Sequence, residues 1–173
     1  EGAMCEQLIK SNIKYQVSHY YWWVNDNKGF LQWILNKRKQ WINNRRIRYL
    51  CQLVSAWNPD LVYTNSICIN IGVFMAERMR IPHVWQARES LQQFGFKLSV
   101  SLRQSQMVWN NPITKRYILI SDYMMDAYRF YMPNDRMRRV YNGIDLPSGA
   151  NREENLVEGD KIFLQIGSSM WWF

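Results

Sequence analysis

What most constrains this chain is the order in which its apolar segments come. Leu61-Val62-Tyr63-Thr64, His83-Val84-Trp85-Gln86 and Tyr117-Ile118-Leu119-Ile120 are short strand-forming runs, and tracts of helical spacing separate them. Short apolar strands alternating with helices fit a parallel sheet covered on both faces and joined by right-handed crossovers. The expected fold is therefore α/β, a Rossmann-like three-layer domain. In open sheets of this kind ligands sit beyond the carboxyl ends of the strands. The residues to examine are those that follow each strand: Asn65-Ser66, Arg88-Glu89, Ser121-Asp122 and Asn142-Gly143.

The spacing predicts the remaining elements in turn. A helix over 2–10 precedes a strand in which Ile13, Tyr15 and Val17 alternate. A long helical tract over 30–57 carries Phe30, Trp33, Ile34 and Trp41, then Ile47, Leu50, Val54 and Trp57, with Asn43-Asn44 as a break between its halves. Further helices are expected over 66–80, 91–109 and 121–131. Asn142-Gly143 supplies two residues that tolerate positive φ, which suits a sharp reversal after a strand. Pro147 to Gly159 is the one linker-like stretch.

Composition narrows the function. The 173 residues have room for one domain with a sizeable core, and 47% apolar content argues against disorder. No apolar run is long enough to span a bilayer. Cys5, Cys51 and Cys68 are odd in number and lack CxxC spacing, so they read as buried thiols in a reducing compartment. With only His19 and His83 available, histidine-based metal or triad chemistry has little material. The net charge of +8 is uneven: Lys37, Arg38, Lys39, Arg45, Arg46 and Arg48 are not interrupted by any acid. Such a run suits phosphate-rich partners, whether nucleic acid, anionic lipid or nucleotide.

Several segments, taken in order, resemble one family. Pro59-Asp60-Leu61-Val62-Tyr63-Thr64-Asn65-Ser66, Ile81-Pro82-His83-Val84-Trp85 with Arg88-Glu89, and Ile120-Ser121 are similar to segments of the retaining GT-B glycosyltransferases of family 4. Val140-Tyr141-Asn142-Gly143-Ile144-Asp145 is the nearest match, and Lys161 to Gly167 resembles the first strand of that family's second domain. The resemblance implies two Rossmann-like domains around a cleft, with acceptor held by the first and nucleotide-sugar by the second. It divides the chain into an acceptor-side domain over 1–146 lacking its first strand, a linker over 147–160 and the start of a donor domain over 161–173. The family's paired-acid donor segment is absent. The chain, which begins at Glu1, therefore reads as a fragment that is inactive alone.

What the resemblance implies for the intact protein is transfer of a sugar from a nucleotide-sugar to a hydroxyl acceptor, a glycan or lipid-linked glycan, with retention. The setting would be cell-envelope polysaccharide or glycoprotein assembly, with no metal or other cofactor. The acceptor or cleft residues would be Gly2, Asn65, Ser66, Arg88, Glu89, Ser121, Asn142 and Gly143. Arg88 stands where many members carry a His. An Arg there suits a phosphate or carboxylate, or else an ordinary ion pair with Glu89. Ser66 and Ser121 suit helix caps as well as ligand contacts. Asn142-Gly143 suits a plain turn.

The tract of Trp33, Lys37, Arg38, Lys39, Trp41, Arg45, Arg46 and Arg48 reads as a solvated helix face or as a dock for an anionic membrane at the inner face of the cytoplasmic membrane. Tyr20 to Trp23 would add apolar surface or core. The competing reading is a non-enzymatic nucleic-acid-binding module using the 37–48 helix. It lacks zinc ligands, RNP-type aromatics and a helix-turn-helix signature, so nucleic acid is disfavoured as partner. Carboxylate-pair hydrolysis is disfavoured too, because no two acids are expected at neighbouring strand ends.

Overall fold

Val62–Asn65 (β2), His83–Ala87 (β3), Thr114–Leu119 (β5) and Met137–Arg139 (β6) pair in that order as a four-stranded sheet, parallel throughout. The computed structural model describes residues 3–25, 30–91, 95 and 97–143, with side chains for all of these but 3, 4, 25 and 30–33. The other elements are helices α1 (Ala3–Lys10), α2 (Phe30–Ser55), α3 (Ile71–Met79), α4 (Leu102–Trp109) and α5 (Asp122–Tyr128). A small ribbon joins β1 (Val24–Asn25) to β4 (Lys97–Leu98) in antiparallel fashion. The chain divides into units 1–142 and 143–173, and the description concerns the first. Gly2 and the expected linker and donor segments lie outside the described residues.

The α/β class and the parallel sheet are as the sequence implies. Burial alternates along β3 and over the second half of β5. His83, Trp85 and Ala87 on β3 are buried, as are Tyr117 and Leu119 on β5, and they join one core with Val73 of α3, Trp109 of α4 and Met124 and Tyr128 of α5. The register places Trp85 beside Tyr117 and Ala87 beside Leu119, so these side chains share a face. On the opposite face Tyr63, Arg116 and Arg138 are exposed, and Val84, Gln86 and Ile118 are half-buried. α3, α4 and α5 thus pack on the face that carries Trp85 and Tyr117, and α2 packs on α3.

Aromatic rings build the core's centre. Trp23 stacks on Trp85 at 5.8 Å and meets Trp109 edge-on at 5.7 Å, while Trp85 stacks on Tyr117 at 6.2 Å. Below them His83 is fully enclosed, with Nε2 2.8 Å from Thr64 Oγ1 and Nδ1 2.8 Å from Thr114 Oγ1. Gly72 lets α3 approach this spot, since a methyl there would lie 1.8 Å from Thr64 Oγ1.

Five elements differ from expectation, each for a physical reason. Ile13 to Val17 form no strand: no neighbouring strand takes their backbone groups, and Ile13 and Val17 are exposed. α2 runs unbroken through Asn43-Asn44, because Asn43 is buried and uses its amide to bond both Tyr21 N and Tyr21 O. α3 begins at Ile71, since 66–70 form a tight turn in which Ser66 Oγ accepts from Cys68 N. Within 91–109 the helix starts only at Leu102, where Ser101 and Gln104 form a reciprocal cap. Asn142 and Gly143 follow β6 without the positive φ that the Asn-Gly pair leads one to expect. Cys51 and Cys68 are buried as expected, whereas Cys5 is half-exposed.

Candidate functional site

The four parallel strands end along one edge, and the sequence-predicted cleft residues other than Gly2 gather there. Strands spaced about 4.8 Å apart put the ends of β2 and β6 roughly 14 Å from each other, with those of β3 and β5 between. The strand order follows the sequence among the described residues, so no reversal of order marks the site. Its location rests on the carboxyl ends.

The loop after β2 is held from three sides. Trp23 Nε1 donates to Ile67 O at 2.7 Å, and Trp85 Nε1 donates to Ser66 O at 2.8 Å. Ile67 N donates to Glu89 Oε2 at 3.0 Å. Ser66 therefore shapes its own turn rather than capping a helix, and it stands half-buried beside the exposed Asn65. Burial, and then the charge of Glu89, push the Cys68 thiol up to about 11, so it stays protonated and is no nucleophile at neutral pH.

Glu89 is a brace. Its carboxylate holds Ile67, and its carbonyl accepts the Tyr128 hydroxyl at 2.8 Å. Tyr128 in turn receives Leu91 N at 3.2 Å, and burial raises its pKa so that it remains a donor. Ser90 Oγ lies 3.4 Å from Tyr123 OH. The Arg88–Glu89 ion pair, one of the two readings of these residues, does not form: Arg88 is exposed, and among the described residues it has no ion-pair partner.

Ser121 caps α5, its Oγ accepting Met124 N at 3.2 Å. Asp122 accepts from Arg139 and, on Oδ2, from Tyr141 OH at 3.1 Å, while the Arg139 guanidinium lies 4.8 Å over the Tyr141 ring. The Arg139 hydrogen bond holds the Asp122 carboxyl below its ordinary range. Two acids, Glu89 and Asp122, do follow neighbouring strands, contrary to expectation. Both are already engaged, Glu89 with Ile67 N and Asp122 with Arg139 and Tyr141. Asn142 and Gly143 are exposed, and nothing lies within 4 Å of the place a Gly143 side chain would take. Sequence reading missed Trp23, Trp85, Tyr128 and Tyr141, whose roles come from long-range contacts that local spacing does not encode.

Away from this edge, α2 presents its charges unevenly. Ile34, Lys37, Arg38, Trp41, Arg45 and Arg48 recur at helical spacing and are all exposed. The Arg45 guanidinium lies 4.9 Å over the Trp41 ring. Arg46 is exposed, and Lys39 is half-buried, 5.8 Å over the Tyr21 ring. Trp33 lies in α2. In the 20–23 segment Trp23 is buried and Trp22 is 51% exposed, so core and surface both take part. No helix among the described residues is long and apolar enough to cross a membrane.

A parallel sheet with its polar and cationic groups collected at the carboxyl ends defines the Rossmann-like class of domain. A family model described as Glycosyltransferase Family 4 matches residues 16–147, and the chain belongs to that family. No curated protein and no solved structure matches the chain. Membership makes the domain part of a transferase of glycosyl groups, with a sugar donor and an acceptor as substrates in general.

Proposed function

We propose that this domain is the acceptor-side half of a retaining glycosyltransferase. It moves a sugar from a nucleotide-sugar to a hydroxyl of a glycan or lipid-linked glycan in cell-envelope polysaccharide assembly. The observation that carries the reading is the family match across 16–147. The geometry agrees with it. Glu89, Trp23 and Trp85 fix the loop after β2, so Asn65 and Arg88 are presented on a stiff edge. Such transfer asks chiefly for alignment of acceptor oxygen and anomeric carbon, and for charge that steadies the departing diphosphate. Arg88, exposed and without an ion-pair partner among the described residues, suits an anionic group of acceptor or donor through its planar fork. Catalysis calls for no metal or other cofactor in this reading.

The test is release of nucleoside diphosphate by the full-length protein, over a panel of sugar donors with and without hydroxyl acceptors. Acceptor-dependent release is expected, and Arg88→Ala should lower kcat/KM by about 10- to 100-fold, the loss of one or two charge-assisted bonds. Persistent absence of release across the panel would sink the reading.

The outer face of α2 docks on an anionic membrane, the inner face of the cytoplasmic membrane, where a lipid-linked acceptor is found. Exposed Ile34 and Trp41 among Lys37, Arg38, Arg45 and Arg48 favour a lipid surface over nucleic acid, which makes no use of buried aliphatic side chains.

A further inference from the structure

A groove of about 400 Å³ lies in the helical layer, between α2, α3, α4 and the 20–23 segment. None of Asn65, Arg88, Ser121 or Asn142 lines it; Trp23, whose indole holds the loop after β2, is a wall it shares with the strand-end edge. Its volume is that of a small-molecule site. Its wall is mixed, more apolar than polar: Trp22, Phe74 and Met107 supply apolar and aromatic surface, and the carboxamides Gln40, Asn44, Asn70, Gln104 and Asn111 supply most of the polar groups.

These amides are in part unspent. Gln40 and Asn44 make no hydrogen bond within the protein among the described residues. Asn70 accepts the Tyr20 hydroxyl on Oδ1 at 2.8 Å, which leaves its NH₂ for another partner. Gln104 uses Oε1 on Ser101 N at 3.1 Å, and its NH₂ likewise remains. Charge is scarce and balanced. Glu77 accepts Asn111 Nδ2 at 3.2 Å, and Lys39 lies over the Tyr21 ring.

A carboxamide offers a donor and an acceptor side by side, which matches a hydroxyl that is itself both. An aromatic face covers the C–H face of a saturated ring. The near-zero charge gives no attraction to phosphate or carboxylate, so nucleotides and acidic peptides are poor occupants. We propose that this groove is a binding site for a short uncharged oligosaccharide. The inference takes its ligand class from the groove's own side chains and holds whether or not the strand-end edge performs transfer.

The test uses the full chain, with maltotriose, cellotriose and N,N′-diacetylchitotriose as probes. Side-chain amide and indole signals are followed by NMR. Saturable shifts of Gln40, Asn44, Asn70 and Trp22 are expected, with a Kd of about a millimolar or below for at least one probe. Trp22→Ala should weaken binding about tenfold, as removal of an aromatic anchor does. Should that variant fold poorly, Gln40→Ala with Asn44→Ala replaces it, since both side chains are free of internal bonds. Arg88→Ala should bind as the parent does. Absence of saturable shifts with all three probes overturns the proposal. Equal loss in Arg88→Ala overturns it too, as does tighter binding of UDP at the same residues.

Discussion

His83 sits between two threonine hydroxyls with no access to water, and burial holds its pKa down at about 4, against an ordinary value of 6.5. Between those values the unfolded chain takes up a proton that the folded chain does not. Stability therefore falls as pH drops from about 6.5 to about 4 and levels off below, a loss on the order of 3 kcal/mol. His83→Gln is less stable at neutral pH, and its deficit against the parent should shrink by about that amount on going to pH 4. Denaturant titrations at several pH values measure this. A deficit independent of pH would show that the imidazole does not drive the acid response. Neither the histidine's burial nor its threonine partners could be read locally. Thr64, His83 and Thr114 come from three strands, and only the sheet register joins them.

At the scale of elements, β2, β3 and β5 were legible because apolar runs of about four residues bounded by Pro, Asn or Ser leave few alternatives, whereas the alternation over 13–17 misled. The helices were less so. Asn43-Asn44 looked like a break by propensity, yet tertiary contact overrode it. The buried Asn43 amide satisfies two backbone groups of the 13–22 segment that no strand would satisfy. Ser66 and Ser121 have the same side chain at equivalent positions, and one shapes a turn while the other caps a helix. The difference lies in where the following backbone goes, which neither residue determines alone. α2 carries the element-scale prediction. Each cation near an anionic bilayer contributes about 1 kcal/mol, so Arg45→Gln with Arg48→Gln should weaken vesicle binding by roughly thirtyfold. Sedimentation with phosphatidylglycerol-containing and purely phosphatidylcholine vesicles reads the effect. Equal binding to both vesicles would remove the docking face from the account, and tighter binding to duplex DNA would hand it to nucleic acid.

For the whole molecule, the fold class followed from element order, whereas the division of labour along the candidate edge did not. Sequence spacing placed Glu89 and Ser121 on equal terms with Asn65 and Arg88. The structure gives the first pair to bracing and leaves the second facing outward. Glu89 links β3, the loop after β2 and α5 through Ile67 and Tyr128, so its removal should loosen the edge as a unit. In Glu89→Ala, amide exchange at Ile67 and at both indole N–H groups should quicken about tenfold, with the core strands unchanged. Unaltered exchange at these three sites would show that the brace is dispensable. The two indole bonds have a further use. Trp23 and Trp85 hang from consecutive carbonyls, Ile67 and Ser66, directly under the loop that Asn65 opens. Their N–H resonances lie in an uncrowded part of the proton spectrum, which makes them a native pair of reporters. Any molecule that settles on this edge and tugs the loop announces itself there, without a label.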